Sequence, residues 1–126
     1  MPRHKTILIV EDEASVRTAL VDAFSRAGFE VFEAHNGEEG LLLIEKNPDI
    51  VLLDIVMPKM DGIEMLRRMR ADSYAKEIPV IILTNLPDSE KIAQAVGGDM
   101  LYAILIKSNW KIEGIVAKVK EKLGME

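Results

Sequence analysis

Asp54 closes the apolar run Ile50, Val51, Leu52, Leu53, and Met57-Pro58 with Asp61-Gly62 breaks the chain directly after it. Two further apolar runs end on charge, Ile7 to Val10 on Glu11-Asp12 and Ala103 to Ile106 on Lys107, while Val80 to Leu83 ends on the hydroxyl of Thr84. In an open parallel sheet the carboxyl ends of the strands line the crevice where ligands bind. Three acids, a hydroxyl and an ammonium gathered there suit a divalent cation and a phosphoryl group. Mg2+ takes oxygen ligands, usually one or two carboxylates with water and phosphate, and Asp12 and Asp54 supply the carboxylates. Acids held this close repel one another, so the cluster needs positive charge from a cation or from Lys107. With that charge in place Asp54 can act as a nucleophile toward phosphorus and form an acyl phosphate. Metal and Lys107 then offset charge on the transferring oxygens, and Thr84 donates its hydroxyl to one of them. Singly, each residue has an ordinary structural reading: Glu11 and Asp12 as caps for a helix near Ala14, Thr84 as a strand end, Lys107 as an ion-pair partner. The convergence of four strand ends on one rim favours chemistry.

The elements that must position these residues are legible as alternating patterns. Strand-length apolar segments at 6–10, 30–34, 50–53, 79–83 and 101–106 alternate with segments of helical period, the signature of a doubly wound α/β sheet with helices on both faces. Val16, Ala19, Leu20, Ala23, Phe24 and Ala27 recur at three and four residues, and Gly28 marks the helix end. Ile112, Ile115, Val116, Val119 and Leu123 repeat the pattern in a closing helix, with Asn109 as its expected cap. Gly37 to Lys46, Asp61 to Arg70 and Asp88 to Val96 fill the other slots, giving five helices, the last of these three being weakly amphipathic and the least firmly held. Residues 50–53 and 79–83 are apolar throughout and read as central strands, whereas Glu30 to Ala34 carries acids and reads as an edge. Five parallel strands in the order 2-1-3-4-5 follow, a flavodoxin-like arrangement whose crevice lies between the first and third strands.

With 126 residues, 48% of them hydrophobic, the chain is sized for a single domain over 1–126 that buries a core without staples. It has no cysteine, so no disulfide framework or thiolate metal site is available, which fits a reducing, cytoplasmic compartment. No apolar stretch approaches the roughly 18 residues that span a bilayer, and the polar start, Met1 to Thr6, does not resemble a signal peptide. The formal charge of −5 argues against non-specific nucleic-acid binding, with Arg67, Arg68 and Arg70 forming only a local basic patch. His4 and His35 fall at no strand end and read as surface residues.

At the stretches Ile7-Leu8-Ile9-Val10-Glu11-Asp12-Glu13, Leu53-Asp54-Ile55-Val56-Met57-Pro58-Lys59-Met60-Asp61-Gly62, Ile82-Leu83-Thr84 and Ile106-Lys107, the chain resembles the receiver domains of two-component response regulators. The resemblance covers essentially the whole chain. It implies a signalling switch rather than a turnover enzyme: Asp54 accepts a phosphoryl group from a histidine kinase or histidine phosphotransfer protein. It further implies Mg2+ held by Asp12, Asp54 and the backbone carbonyl of Val56, with Glu11 acting through water, and Thr84 and Lys107 binding the phosphoryl oxygens and reporting their presence to a downstream protein or output domain.

Four departures from the family pattern bear on mechanism. Ser108 stands where receivers carry a cis-proline, which predicts a trans Lys107-Ser108 peptide, because a cis bond before a non-proline residue costs about 3–4 kcal/mol. The aromatic switch position, three before the lysine, holds Ile104; Tyr102 lies two residues earlier, on the same face by strand alternation. Either a small insertion precedes the strand or switching works through an aliphatic residue. Val56 and Leu86 occupy positions where polar side chains align hydrolytic water in relatives, which predicts slow self-dephosphorylation. Asn85 is bulkier than the small residue usual beside the threonine and narrows access for small phosphodonors.

Three other readings compete. A phosphatase turning over through an aspartyl phosphate would want an acid at Val56. A nucleotide or flavin carrier would want a glycine-rich loop where the acidic Glu11-Asp12-Glu13 stands. A docking pseudo-receiver would not need the full set of acids, Thr84 and Lys107, though Ser108 suits it. The chain ends after the closing helix, compatible with a stand-alone receiver, a relay intermediate or the front of a longer regulator. Kinase specificity is expected in surface residues of the first helix such as Ser15, Arg17 and Thr18. The expected state is a monomer or a weak dimer through the last helix.

Overall fold

A computed structural model describes residues 4–55, 60–72, 75–85 and 101–125. The helix expected from Asp88 to Val96, together with Val56, Met57-Pro58 and Leu86, lies outside the described residues. Five strands form one parallel sheet: β1 (Thr6–Val10), β2 (Glu30–Ala34), β3 (Ile50–Leu53), β4 (Val80–Thr84) and β5 (Leu101–Ile106). Their order is β2-β1-β3-β4-β5, as the pattern of apolar runs requires. Among the described residues the α-helices are α1 (Ala14–Arg26), α2 (Gly37–Leu43), α3 (Gly62–Ala71) and α4 (Ile112–Lys122).

Strand alternation splits the core into two layers. Leu8, Val10, Val51, Leu53, Val80 and Ile82 face α2 and α3, while Ile7, Ile9, Leu52, Ile81, Leu83 and Leu105 pack against α1 and α4. Every residue of β3 and β4 is buried, whereas β2 leaves Glu30 and Glu33 exposed, as befits a sheet edge. On α1 the stripe buries Leu20 and Phe24, and on α4 it buries Ile115 and Val119.

The helix ends show how local sequence sets direction. At the end of α1, Gly28 (φ 94°) takes the left-handed conformation. Its N–H donates to Ser25 O while the Phe29 N–H donates to Phe24 O at 3.0 Å, the paired bonds of a Schellman stop. The rings of Phe24 and Phe29 meet edge to face at 5.2 Å, sealing the turn with an apolar contact. Asn36 and Asp61 accept from the N–H groups of Glu39 and Glu64, capping α2 and α3.

Two details differ from expectation, and a third fits one of the alternatives for the last strand. β4 begins at Val80 rather than residue 79, so Thr84 is its last residue. Residues Lys107–Asn109 form one 3-10 turn and the chain is extended at Trp110, so α4 starts after Lys111 and Asn109 does not cap it. The register between β4 and β5 steps from Val80↔Leu101 to Ile81↔Ala103, leaving Tyr102 as an extra residue. Such a bulge interrupts the period of two, so the face of Tyr102 does not follow from that of Ile104. The Lys107-Ser108 peptide is trans.

Candidate functional site

The carboxyl ends of β1, β3, β4 and β5 open into a cleft of about 490 Å³ lined by Glu11, Asp12, Asp54, Thr84, Asn85 and Lys107. Parallel pairing sets the depth of each group. Val10 sits opposite Leu53, and the Asp54 N–H donates to the Val10 carbonyl at 3.0 Å, which brings Glu11 and Asp54 to the same level. Thr84 pairs in register with Ile106, so Lys107 emerges one residue beyond it.

Glu11 and Asp54 are almost wholly buried, at 2% and 6% exposure, and Thr84 is fully buried, while Asp12 stands at the open rim. Carboxylate oxygens of Glu11, Asp12 and Asp54 all lie within 4.8 Å of one another. The Lys107 ammonium donates to Glu11 Oε1 at 2.7 Å and to Asp54 Oδ2 at 3.3 Å. The other oxygens are also held: Asp54 Oδ1 accepts from Ile55 N–H at 2.8 Å and Glu11 Oε2 from Glu13 N–H at 3.1 Å.

Burial pushes the Asp54 and Glu11 carboxyls above the ordinary carboxylate range, against the pull of Lys107. The mutual repulsion of the acids acts in the same direction as burial. Burial alone would lower the Lys107 pKa, but its hydrogen bond to Glu11 and the field of Asp54 and Glu11 outweigh that and raise it. Three carboxylates facing one ammonium leave a negative surplus in a partly desolvated cleft. That donor set is all oxygen and fits a hard divalent cation.

Two contributions escaped the sequence reading. Gly62, noted as a chain breaker and as the end of the family-like stretch from Leu53, lies directly against the backbone of Asp54. A Cβ there would collide with the Asp54 carbonyl oxygen and stand 2.9 Å from Ile55 Cα. Its N–H also donates to Ile55 O at 2.9 Å, so α3 is pinned beneath the strand end that carries Asp54. The Asp61-x-x-Glu64 spacing, a helix-start signal, would have placed that junction. Arg17, expected on the kinase-facing surface, instead keeps only 13% of its side chain exposed and turns back toward the β1 end. The cause is geometric, since helical side chains lean toward the N-terminus of their helix.

The remaining expectations resolve simply. His4 and His35 are exposed, the first 3.0 Å from Gly28 O and the second beside Glu39. Glu64 pairs with both Arg67 and Arg68, which partly neutralises the basic patch. Among the described residues no helix is long and apolar enough to cross a membrane.

A five-stranded parallel sheet in this order, with an acidic cleft at its carboxyl edge, defines the flavodoxin-like class of α/β proteins that also houses receiver domains. A family model for the response regulator receiver domain matches residues 7–120. The phosphate regulon transcriptional regulatory protein PhoB of Pseudomonas aeruginosa is 39% identical over 98 residues, which make up 75% of this chain and 43% of that relative. The chain thus spans less than half the length of that protein. Sporulation initiation phosphotransferase F of Bacillus subtilis is 39% identical over 93 residues, 73% of either chain. Among solved structures, chemotaxis protein CheY4 of Vibrio cholerae superposes with a TM-score of 0.83 at 28% identity, covering 94% of this chain and 98% of that one. The chain belongs to the response regulator receiver domain family of two-component signalling. Receiver domains are signalling modules that work with histidine kinases and downstream output domains.

Proposed function

We propose that this receiver accepts a phosphoryl group on Asp54, from a histidine kinase or a histidine phosphotransfer protein. The observation that carries the reading is the buried Asp54 carboxylate, 3.3 Å from the Lys107 ammonium, in one cleft with Glu11, Asp12 and Thr84. Asp12, Asp54 and the Val56 carbonyl would hold Mg2+, with Glu11 acting through water. The bound cation would supply positive charge against the oxygens of the transferring group.

The chain's own groups account for the rest. An Asp54 carboxylate oxygen attacks phosphorus, the bond from phosphorus to the donor's imidazole nitrogen breaks, and the electron pair leaves with the imidazole. Lys107 balances charge on one phosphoryl oxygen and the Thr84 hydroxyl donates to another. Lys107 must leave Glu11 or Asp54 to do so, and this exchange is the physical basis of a switch. The change passes through the segment from Asp88, β5 and α4 to a downstream partner, with either Ile104 or Tyr102 in the switch role. Asn85 is exposed at the cleft rim, where it restricts small donors. We place the protein in the cytoplasm as a monomer or weak dimer, with slow self-dephosphorylation set by Val56 and Leu86.

The test is intact mass after incubation with acetyl phosphate, or with beryllofluoride, in the presence and absence of Mg2+. A Mg2+-dependent adduct that disappears in Asp54→Ala is the expected result. Trp110, the chain's single tryptophan, is 37% exposed and lies three residues beyond Lys107, so its fluorescence should change with adduct formation. Absence of both signals, together with no Mg2+ binding, would favour a docking pseudo-receiver.

A further inference from the structure

We infer that Arg17 is a positioning residue for the cation site, acting through the backbone that carries Glu11 and Asp12; the inference rests on the Mg2+ reading above. One guanidinium nitrogen, Nη1, donates to the Glu11 carbonyl at 2.9 Å and lies 3.4 Å from the Asp12 carbonyl. On its other side Nε is buried, makes no hydrogen bond, and is held only by an ion pair, 3.4 Å from Glu33 Oε1, so the side chain reaches from the loop after β1 to β2. Arg17 therefore ties two consecutive carbonyls of the acidic loop to a neighbouring strand while the side chains of the same two residues line the cleft. A carbonyl held in place fixes the peptide plane, and fixed peptide planes on both sides of Asp12 set the direction in which its carboxylate leaves the chain.

The placement is poorly explained by helix stability. Arg17 lies in the first turn of α1, where a cation opposes the helix dipole. Coulomb attraction to Glu33 helps hold the side chain, but toward the site its charge brings no gain, since a fixed positive charge close to a cation site disfavours the bound ion. Its worth to the site must come from geometry. The two effects oppose each other when Arg17 is removed: loss of positive charge should tighten Mg2+ binding, whereas loss of the tether should weaken it.

The experiment is an NMR titration of the whole chain with MgCl2 at fixed ionic strength, following the amides of Glu11, Asp12 and Asp54. Wild type is compared with Arg17→Met, Arg17→Lys and Glu33→Gln, with thermal unfolding of each as control. Removal of groups that orient metal ligands costs about 10–100-fold in affinity. We expect Arg17→Met at the lower end, about 10-fold weaker, and Arg17→Lys between it and wild type, because one ammonium can hold one carbonyl. Glu33→Gln should weaken binding in the same direction, by about 2-fold, and it decides the question if Arg17→Met fails to fold. Unchanged or tighter binding in Arg17→Met, or unchanged binding in Glu33→Gln should the former not fold, would overturn the positioning role. A wild type with no Mg2+ response at these amides would overturn the cation reading itself, and the inference with it. Equal loss of affinity in Arg17→Lys and Arg17→Met would show that the whole fork, not one donor, is required, which supports the tether.

Discussion

The Lys107 ammonium lies nearer to Glu11, at 2.7 Å, than to Asp54, at 3.3 Å, although the family resemblance assigns it to the phosphoryl group on Asp54. Without a cation its first task is to neutralise a carboxylate with 2% side-chain exposure. Removing one partner of a fully buried pair costs roughly 3–5 kcal/mol, because the other charge is left without compensation. Lys107 keeps 17% of its side chain exposed and Glu11 can take up a proton, so we predict a smaller loss, about 2 kcal/mol, for Lys107→Met without Mg2+. Adding Glu11→Gln should restore at least half of it. Urea denaturation of the two variants checks this, and an equal loss in both would refute the stranded-charge account.

The raised carboxyls of Glu11 and Asp54 give a pH dependence of definite sign. Both groups bind protons more tightly folded than unfolded. Their contribution to stability is therefore fully present below the ordinary carboxylate range and is lost as pH rises through their raised folded values. Lys107, also raised, contributes stability that persists through neutrality and is lost only as pH climbs past the ordinary lysine range. We predict that metal-free Asp54→Asn melts above wild type near neutrality, by about 3 °C, and that the gap closes toward about pH 4. Mg2+ favours the charged carboxylates, so it should raise the wild-type Tm more at about pH 8 than at about pH 5, and raise that of Asp54→Asn less. Thermal melts across that range decide it; a gap that widens in acid would contradict the burial account.

Gly62 and Gly114 provide a matched test of backbone approach. A Cβ on Gly62 meets the backbone of Asp54 and Ile55, which cannot yield without moving the site. A Cβ on Gly114 meets the Trp110 ring at 3.2 Å, a side chain free to shift. We predict that Gly62→Ala costs about 2–3 kcal/mol by the logic of overpacking and weakens Mg2+ binding. Gly114→Ala should instead lie within about 1 kcal/mol of wild type, because the gain in helix propensity offsets the crowding. Urea unfolding of the pair with one Mg2+ titration each is sufficient.

What was legible in the sequence was whatever burial enforces. Strands such as Ile50–Leu53 are apolar because both faces are covered, and a run of that kind shows its own ends. The residues ending on the rim, Glu11, Asp54, Thr84 and Lys107, were visible for the same reason. Interactions of the backbone left no such trace. The need for glycine at position 62 arises from a helix passing against Asp54, and the course of Arg17 depends on two carbonyls, neither of which shows in side-chain pattern. Asn109 misled because a capping residue type fits a 3-10 turn as readily as a helix start. The extra residue in β5, at Tyr102, fits the small insertion that was one of the two alternatives, a feature of backbone pairing that strand alternation alone does not show.

If Asp54 is phosphorylated as proposed, the lifetime of its acyl phosphate is the next property to test. Hydrolysis needs a water placed opposite the phosphorus to Asp54 bond, and a polar side chain within hydrogen-bond reach does that placing. On the proposed reading, Val56 and Leu86 stand at the positions the family resemblance assigns to that role, and their side chains are hydrocarbon, which would exclude water and not direct it. Giving either position an amide should restore a partner for the water without altering the acids, Thr84 or Lys107. We predict that Val56→Asn or Leu86→Asn shortens the acyl-phosphate lifetime by about 10-fold, the lower part of the range for a positioned polar group, and that the effect persists at saturating Mg2+. Val56→Leu, apolar and of similar shape, should leave the lifetime near that of wild type. Decay of the phosphorylated mass with time measures all four proteins, and equal lifetimes in the amide and leucine variants would place control of hydrolysis elsewhere in the cleft, with Asn85 the next residue to change.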